Sequence, residues 1–490
     1  MSDPEVTPRT STPTPPLTSS LLDGWSRFMS SPGTPFMIPG HKQRAGLLWP
    51  ELGDVNRGDV PLFGGLATLK DAAGVLAAAE ARTATRWGAD WCRYSTGGST
   101  HANQVLALSV GTPGDEVLVA RNAHRSTLSG LLLAGLTPRW LTPTVSDGLI
   151  TELSVATVEA AIARHPRARA LFLVEPSYVG TLSDREALIA TAHAAGLTVV
   201  VDQAWGAHLG FHEDLPAHGI ALGADAVIFS AHKTLPAYSQ ASVVLARTER
   251  LDAGRLERAF DLSATTSPAG SLLASTDAAV TLLDSPLGHQ RLGVVLDAVS
   301  AARATLREAG LSVAGPDTHR MDPTKLVVRL PDGGLDLEQR LIAAGLAPEQ
   351  ADETTVIPIV TLADRPEDLA RFTEVVLEQA AEIRVHHRRD PGSPQPRSGS
   401  ATDETRLPTA RMTPRDAFFA DTETVPAAQA LGRISAEVIA PYPPGVPVLV
   451  PGEEITPETV ELLQDAAAAG VRIAYAADPT LATFQVVAVP

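Results

Sequence analysis

Lysine is rare in this chain, and one copy directly follows a strongly apolar run. The lysines are Lys42, Lys70, Lys233 and Lys325, within a total of 39 lysines and arginines. Lys233 stands in the sequence Ser-Ala-His-Lys-Thr, just after the apolar segment 225–229. Arginine stays protonated at ordinary pH, whereas a desolvated lysine can lose its proton and form a Schiff base. The pattern predicts a reactive amine at the end of a buried strand; the alternative is a surface or ion-pairing lysine.

A second apolar run ends in an acid. Residues 198–202 read Thr-Val-Val-Val-Asp, which is typical of a parallel strand buried on both faces. Ligands of open α/β sheets bind beyond the carboxyl ends of the strands, so we expect Asp202 and Lys233 at one sheet edge. Pyridoxal phosphate requires such a pair: the acid keeps the pyridine nitrogen protonated, and the lysine carries the aldehyde.

A turn of small residues supplies a third feature. Residues 94–100 read Tyr-Ser-Thr-Gly-Gly-Ser-Thr and precede an apolar-periodic segment over 102–110. Small residues before a helix N-terminus leave backbone N–H groups and hydroxyls free to bind a phosphate. Such turns are common by themselves. Together with Asp202 and Lys233, this one predicts the phosphate end of a single cofactor site.

The elements that must position these residues form an alternating series. Helical patterns separate four predicted buried strands, which are Val117–Ala120, Ala170–Val174, Val199–Asp202 and Ala226–Ser230. This alternation predicts an α/β fold with a mostly parallel sheet wrapped by helices. A helix over Asp284–Ala309 is expected to lead into a smaller α+β domain, with strands at Lys325–Leu330 and Val356–Val360.

Composition predicts the order of segments along the chain. We expect a disordered leader over 1–18, an N-terminal arm over 19–60, and a large cofactor-binding domain over 61–290. A small α+β domain over 291–387, a Pro/Ser/Gly-rich flexible linker over 388–407 and a C-terminal domain over 408–490 follow.

The overall composition favours a large enzyme in the cytoplasm. The chain has 490 residues, 44% of them hydrophobic, which is enough for more than one core. Its formal net charge of -17 argues against a nucleic-acid binder that relies on phosphate contacts. Cys92 is the single cysteine, so no intrachain disulfide can form. No apolar stretch reaches the ~20 residues of a membrane span, and no signal-peptide pattern begins the chain.

An ordered series of short motifs runs from about Pro39 to the C-terminus. The motifs are Pro-Gly-His-Lys at 39–42, Arg-Asn-Ala-His-Arg-Ser at 121–126, Asp-Gln-Ala-Trp-Gly-Ala-His at 202–208, Ser-Ala-His-Lys at 230–233, Thr-Thr-Ser-Pro at 265–268, Asp-Pro-Thr-Lys at 322–325 and Pro-Tyr-Pro-Pro-Gly at 441–445. The set resembles the pyridoxal-phosphate-dependent ornithine/lysine/arginine decarboxylases of the short form. The resemblance implies the aspartate-aminotransferase fold, which is fold type I.

The resemblance implies a role for each matched residue. Lys233 would carry the cofactor, and Asp202 would pair with the pyridine nitrogen. His124 would stack on one face of the ring and Ala204 would pack against the other. The residues at the phosphate would be Gly98, Ser99, Thr100, Ser230 and His232, joined by Thr266 and Ser267 from a neighbouring subunit. A homodimer or a higher homo-oligomer would then share the active site.

The implied reaction is decarboxylation of ornithine, lysine or arginine to an amine of polyamine biosynthesis. Many short members have Glu-Ala-His after the aspartate, whereas this chain has Gln-Ala-Trp at 203–205. Trp205 is predicted to form a wall of the substrate pocket, with core filling as the alternative. A cationic tail needs an anionic partner. Glu453 is the first candidate for that role, and Glu349 and Asp352 are weaker ones that would reach across the dimer.

Several alternatives remain open at this point. Either His232 or His124 could assist proton transfer. Another reaction on the same fold, such as aminotransfer or aldol cleavage, is a rival function because a fold does not determine which bond breaks. A non-catalytic relative is a third. His208 and His212 have the i,i+4 spacing of a metal pair but lack a third ligand in the pattern, so we interpret them as structural and predict no metal.

Overall fold

The computed structural model describes residues 20–30, 41–42, 58–60, 74–146, 148–389, 408–442, 446–468 and 470–488. The predicted leader and most of the predicted arm and linker lie outside these residues. So do Lys70, Pro39 and Gly40, and the Pro-Pro-Gly part of the motif at 441–445. The predicted domain boundaries therefore stay predictions.

A seven-stranded sheet forms the centre of the large domain. Its order is β1-β9-β8-β7-β6-β2-β3, and β9 runs antiparallel to both of its neighbours while the other pairings are parallel. The strands are β1 (Trp91–Ser95), β2 (Glu116–Ala120), β3 (Thr137–Leu141), β6 (Ala170–Val174), β7 (Thr198–Asp202), β8 (Ala226–Ser230) and β9 (Ser242–Ala246). A short hairpin, β4 (Val145–Ser146) with β5 (Leu149–Ile150), lies outside the sheet. The predicted mostly parallel sheet is confirmed.

The sheet is covered on both faces. Alternate residues of one strand enter different cores: Val199 and Val201 join one apolar cluster, and Val200 joins the other. All three valines are 0% exposed, which explains why the run is continuously apolar instead of alternating. The covering helices are α1 (Ser20–Ser30), α2 (Val75–Trp87), α3 (Gly98–Val110), α4 (Arg125–Ala134), α5 (Val155–Arg164), α6 (Arg185–Ala194), α7 (Ala231–Thr234), α8 (Ala253–Ser263) and α9 (Gly270–Leu283).

A long helix connects the large domain to a smaller one. Helix α10 (Pro286–Glu308) begins after Ser285, whose hydroxyl caps it by accepting from Gly288 N at 3.0 Å, and the predicted bounds of 284–309 agree within two residues. The small domain has a four-stranded antiparallel sheet in the order β10-β11-β13-β12. Its elements are β10 (Ser312–Ala314), β11 (Val327–Arg329), α11 (Gly334–Ala343), β12 (Gln350–Ala351), β13 (Thr355–Ile357) and α12 (Pro366–Arg389).

The C-terminal unit has its own apolar core around Ile439, Leu449 and Phe484. It contains two antiparallel strand pairs, β14 with β17 and β15 with β16. Its elements are α13 (Pro414–Phe419), β14 (Thr422–Pro426), α14 (Ala427–Ala430), β15 (Ala440–Tyr442), α15 (Pro457–Ala468), β16 (Arg472–Ala474) and β17 (Thr483–Val487).

One buried ion pair joins this unit to the central sheet. Arg121, just after β2, donates from Nη1 to Glu453 Oε1 at 2.7 Å and from Nη2 to Glu453 Oε2 at 3.0 Å. Both side chains are 1% exposed. The guanidinium also donates to Val448 O at 2.9 Å and lies 4.8 Å from the centre of the Trp140 ring. The bidentate geometry and the added acceptor meet the conditions under which a buried pair holds two units together.

This pair corrects the sequence-based expectation for Glu453. Both of its carboxylate oxygens are engaged, since Val450 N also donates to Oε2 at 2.9 Å. No face of the carboxylate is open to a substrate cation. The position of Glu453 after a Pro-Gly turn carries no sign that its partner is Arg121, 332 residues away in the sequence.

We expect Glu453→Gln to destabilise the protein because it leaves the Arg121 guanidinium buried without a counter-charge. The free energy of unfolding should fall by about 3–5 kcal/mol, measured by chemical denaturation. The matched control is Glu454→Gln, since Glu454 pairs with Arg411 nearer the surface, where a change below about 1 kcal/mol is expected. Equal losses in the two variants would show that the buried pair has no special role.

Candidate active site

Two neighbouring strands end at the predicted site. Strands β7 and β8 are parallel partners, so Asp202 and Ser230 both lie at the carboxyl edge of the sheet. The short helix α7 then carries Lys233, which is half-buried. Burial lowers the pKa of Lys233, while the nearby Asp202 carboxylate opposes that shift and the Lys325 ammonium adds to it. The predicted pair of lysine and acid is therefore brought within electrostatic range.

The Asp202 carboxylate is held by two donors. Its Oδ1 accepts from Ala204 N at 3.0 Å, and its Oδ2 accepts from Asn103 Nδ2 at 2.8 Å. Asn103 lies on α3 and is 1% exposed, and the same amide donates to Ser126 Oγ at 3.0 Å. Sequence analysis missed Asn103. The signal that could have revealed it is an uncharged polar residue on the buried face of an otherwise apolar helix.

His124 caps the helix that follows β2. Its Nδ1 accepts from Ser126 N at 3.2 Å, so the proton of the neutral ring is on Nε2. Burial lowers the pKa of His124; Asp202 opposes this shift, and Lys233 adds to it. The ring is therefore neutral near pH 7, which suits packing against a flat aromatic ring.

The predicted phosphate residues gather at the start of α3. Gly97 precedes the helix, and a Cβ there would lie 2.7 Å from His101 Cβ. Gly98 adopts a positive φ of 67°, which favours glycine. Ser99 Oγ lies 2.7 Å from Ser230 Oγ and 3.2 Å from Ser242 Oγ. Three hydroxyls thus meet beside a helix N-terminus, an arrangement suited to an anion. Sequence analysis missed Ser242, which comes from the antiparallel strand β9.

The remaining phosphate candidates separate into two groups. His232 donates from Nδ1 to Ala241 O at 2.8 Å, and burial lowers its pKa, with Lys233 adding to the shift and the hydrogen bond to Ala241 opposing it. Thr100 is exposed on the first turn of α3. Thr266 and Ser267 are exposed on the loop between α8 and α9, and no hydrogen bond described in this chain joins them to the site. A contribution from a neighbouring subunit stays a prediction.

Trp205 forms an aromatic surface beside the lysine. The centre of its ring lies 4.0 Å from Lys233 Nζ and 4.8 Å from Lys325 Nζ. The Tyr178 ring packs edge-on at 5.0 Å and 74°. Trp205 is largely buried, but its contacts with two amines agree better with a pocket wall than with core filling. Tyr178 gave no signal in the sequence, because it lies on an irregular loop after β6.

Gln203 explains one departure from the expected motif. Its side chain is 0% exposed, donates to Gly206 O at 2.7 Å and accepts from Gly219 N at 2.9 Å. An amide can both donate and accept, whereas an ionised glutamate would face the Gly206 carbonyl without a proton. Gln203 therefore stabilises the turn after β7 and contributes no polar atom to the site.

The two weaker acidic candidates differ in their surroundings. Asp352 accepts from Thr354 N at 2.8 Å and from Thr354 Oγ1 at 3.2 Å, so its carboxylate stabilises a local turn. Glu349 is exposed to solvent at the edge of the candidate active site, and the Tyr178 hydroxyl lies close to its carboxylate. Partial burial raises the pKa of Glu349, while Lys233 and Lys325 oppose the shift. Glu349 is thus the acid that the fold brings into range of both amines.

The histidine pair His208 and His212 is divided between two environments. His208 Nε2 lies 2.9 Å from Asp322 Oδ2, and both side chains are buried. His212 instead stacks on His289 at 4.4 Å beside Glu213. The two imidazoles therefore do not form a pair, and because the ligand atoms of His212, Glu213 and His289 lie within 4.8 Å of one another, the expectation of no metal site stays a prediction.

Two segments that together make up most of the chain match one family. Residues 15–325 match the family described as Orn/Lys/Arg decarboxylase, major domain, and residues 400–469 match its C-terminal domain. The chain belongs to the Orn/Lys/Arg decarboxylase family. This membership confirms the resemblance found in the motifs and identifies the chain as a decarboxylase, a carbon–carbon lyase.

Curated relatives cover nearly the full chain. An arginine decarboxylase of Halalkalibacterium halodurans is 31% identical over 92% of this chain and 94% of its own length. An arginine decarboxylase of Bacillus subtilis is 30% identical over 95% of this chain and 97% of its own length. The lysine decarboxylase LdcA of Pseudomonas aeruginosa is 26% identical, covering 81% of this chain and 67% of that protein.

Solved structures agree on the fold. Lysine decarboxylase A from Pseudomonas aeruginosa superposes with a TM-score of 0.80 at 21% identity, covering 96% of this chain and 81% of that one. A structure described as SPT with PLP gives a TM-score of 0.53 at 16% identity, covering 63% of this chain and 77% of that one. The chain therefore has the fold of type I pyridoxal-phosphate enzymes. Within the described residues, no helix is both long and apolar enough to span a membrane.

We expect Asp202→Asn to lower the pKa of Lys233 further, because the carboxylate is a group that raises it. A lower pKa means that the neutral amine appears at lower pH. Reductive methylation of cofactor-free protein at a series of pH values, followed by peptide mass spectrometry, reports this at Lys233. Lys233→Arg confirms the peptide assignment. An unchanged profile, or one shifted to higher pH, would show that the two groups are not coupled.

Proposed function

We propose that this chain is a pyridoxal-phosphate-dependent decarboxylase of a basic amino acid, with arginine as the first substrate to test. The observation that carries the proposal is the convergence of Lys233 and Asp202 at the carboxyl edge of the sheet. Arginine is preferred because three relatives that cover more than 90% of both chains are named arginine decarboxylase. Lysine and ornithine are the alternatives.

The residues present fit the cofactor. Asp202 is a buried carboxylate fixed by two N–H donors, which suits a partner for a protonated pyridine nitrogen. The small residues around Gly98 and the hydroxyls of Ser99 and Ser230 suit the phosphate. Lys233 would attach to the aldehyde, and a neutral His124 would cover one face of the ring. When bound, the cofactor would accept the electrons left at Cα as the carboxylate departs.

The hydrogen bonds of the two histidines determine the tautomer of each neutral ring. Neutral His124 carries its proton on Nε2, because Nδ1 accepts from Ser126 N. Neutral His232 uses its proton on Nδ1 to donate to Ala241 O, which leaves Nε2 as an acceptor. Burial lowers the pKa of both rings, so the neutral forms are the relevant ones near pH 7. Either ring must first take up a proton before it can return one to Cα, because loss of the N–H proton from a neutral imidazole would leave an imidazolate, and His124 and His232 both stay candidates for this role.

Glu349 and Tyr178 are the proposed recognition groups for the cationic tail. Their side chains lie close together at the edge of the site, and the Glu349 carboxylate is within electrostatic range of Lys233. A carboxylate offers two oxygens to a guanidinium, and a tyrosine hydroxyl can add a further acceptor. Trp205, adjacent to Tyr178, adds an aromatic face that attracts cations.

We expect purified protein with added cofactor to release carbon dioxide and the corresponding amine from one of arginine, lysine and ornithine, with arginine tested first. Carbon dioxide capture and chromatography of the amine measure both products. Lys233→Ala should lose turnover and the absorbance of the lysine-bound cofactor. Keto acid in place of amine would indicate aminotransfer on the same fold. Absence of cofactor absorbance in the wild type would overturn the proposal.

We expect Glu349→Gln to raise KM for the basic substrate about tenfold or more, since a charged hydrogen bond contributes roughly 1.5–3 kcal/mol. Steady-state kinetics on the preferred substrate provide the measurement. Asp352→Asn is the matched control, because the Asp352 carboxylate accepts a hydrogen bond from Thr354 N within a local turn and its replacement should leave KM unchanged. If both variants kept the wild-type KM, another group would have to bind the tail.

A further inference from the structure

A second lysine, which is buried, lies beside the same tryptophan as the half-buried Lys233. Lys325 is 4% exposed, and its Nζ lies 4.8 Å from the centre of the Trp205 ring, against 4.0 Å for Lys233 Nζ. The chain uses arginine for nearly all of its cations, yet it places two of its few lysines at one wall. The proposed function accounts for Lys233 alone.

The backbone around Lys325 is held from several sides. Thr324 N donates to Asp322 Oδ1 at 2.9 Å, and Lys325 N donates to Asp322 O at 3.2 Å. Arg303 donates to Lys325 O at 2.9 Å. Asp322 also pairs with His208 of the large domain at 2.9 Å. The segment is therefore anchored to both domains before any ligand binds.

The side chain of Lys325 has a fixed direction. Its aliphatic part lies against Gly180, where an added Cβ would come within 2.3 Å of Lys325 Cγ. Gly180 has a φ of 93°, which also favours glycine. The stem is thus packed against bare backbone, and the ammonium group extends to Trp205.

The ammonium group has no close carboxylate. Among the described residues, no acidic oxygen lies within 4.0 Å of Lys325 Nζ, although many other pairs of opposite charge meet that limit. The nearest acid along the chain, Asp322, is engaged with His208 and Thr324. Asp322 and, to a smaller extent, Glu349 act electrostatically on the ammonium, but neither forms an ion pair with it. A buried cation without a paired anion costs free energy, which a bound anion would offset.

We propose that Lys325 binds the α-carboxylate of the amino-acid substrate. The inference rests on the proposed function, in which the α-amine meets the cofactor at Lys233 and the tail meets Glu349. The carboxylate is then the one charged group of the substrate without a partner, and Lys325 is the one buried cation of this site without a paired acid among the described residues.

The choice of lysine over arginine fits this role. A guanidinium would grip the carboxylate through two parallel hydrogen bonds, whereas an ammonium is a single point of attachment. One point of attachment restricts rotation about the N–Cα bond of the substrate less than two do, and this rotation would set the angle between the Cα–carboxylate bond and the cofactor ring. The product amine has no carboxylate, so Lys325 makes the site bind the substrate more tightly than the product.

The test compares an amino acid with its own decarboxylation product. Lys325→Met keeps an unbranched stem against Gly180 and removes the charge. Turnover is blocked in a Lys233→Ala background loaded with the cofactor, and calorimetric titrations with arginine and with agmatine give two dissociation constants. If the wild type prefers lysine, the pair is lysine and cadaverine. We expect about a tenfold to hundredfold loss of affinity for the amino acid and no change for the amine.

Lys325→Arg in the same background should keep most of the preference for the amino acid, which separates charge from packing. Equal losses for arginine and agmatine in Lys325→Met would overturn the inference and leave Lys325 as a packing residue. An unchanged arginine-to-agmatine ratio for Lys325→Met in this background, combined with a shifted pKa of Lys233 in the Lys325→Met variant that keeps Lys233, would overturn it as well. Failure of the proposed function is distinguished by the wild-type assay, in which no amine would form from any of the three substrates.

Discussion

The desolvation of Asp202 is the constraint on which the rest of the site depends. The carboxylate lies at the end of a strand whose neighbours are buried on both faces, where an ionised group is costly unless donors surround it. Asn103 supplies one donor and the Ala204 N–H another. The same Asn103 amide reaches Ser126, which in turn fixes the tautomer of His124. The hydrogen bonds that stabilise the charge of Asp202 therefore also determine the tautomer of the His124 ring.

The three folded units each contribute to this arrangement. The large domain carries Asp202 and Lys233, while the small domain brings Lys325 and Glu349 to the same edge. Among its described residues, the C-terminal unit contributes no charged side chain to the interactions of Asp202 and Lys233. Its Glu453 instead pairs with Arg121, the first residue of the segment 121–124 that ends in His124. The C-terminal unit therefore acts on the position of the His124 ring through this backbone segment. The buried ion pair of Arg121 and Glu453 therefore links the C-terminal unit to the large domain.

The sequence predicted the parts of the site that local patterns encode. Buried strands are recognisable from their continuous β-branched runs, and two of the four predicted strands, Ala170–Val174 and Ala226–Ser230, have the observed bounds. The glycines and serines at the start of α3 were recognisable because close backbone approach demands them. By contrast, the partners Asn103, Ser242 and Tyr178 carry no local signal. Their importance arises from strands and helices that are far apart in the chain, and Glu453 was misjudged for the same reason.

The sequence by itself determined the fold class, the lysine and the acid, because strand periodicity and the chemistry of a residue type are local properties. Family membership follows from the ordered motifs, which are also properties of the chain alone. Only the tertiary structure decided which charges meet. In the fold, Glu453 pairs with Arg121, and Asp352 accepts a hydrogen bond from Thr354 N within a local turn. The tertiary structure also brought a second lysine to Trp205, where the residue is buried and forms no ion pair with any described residue.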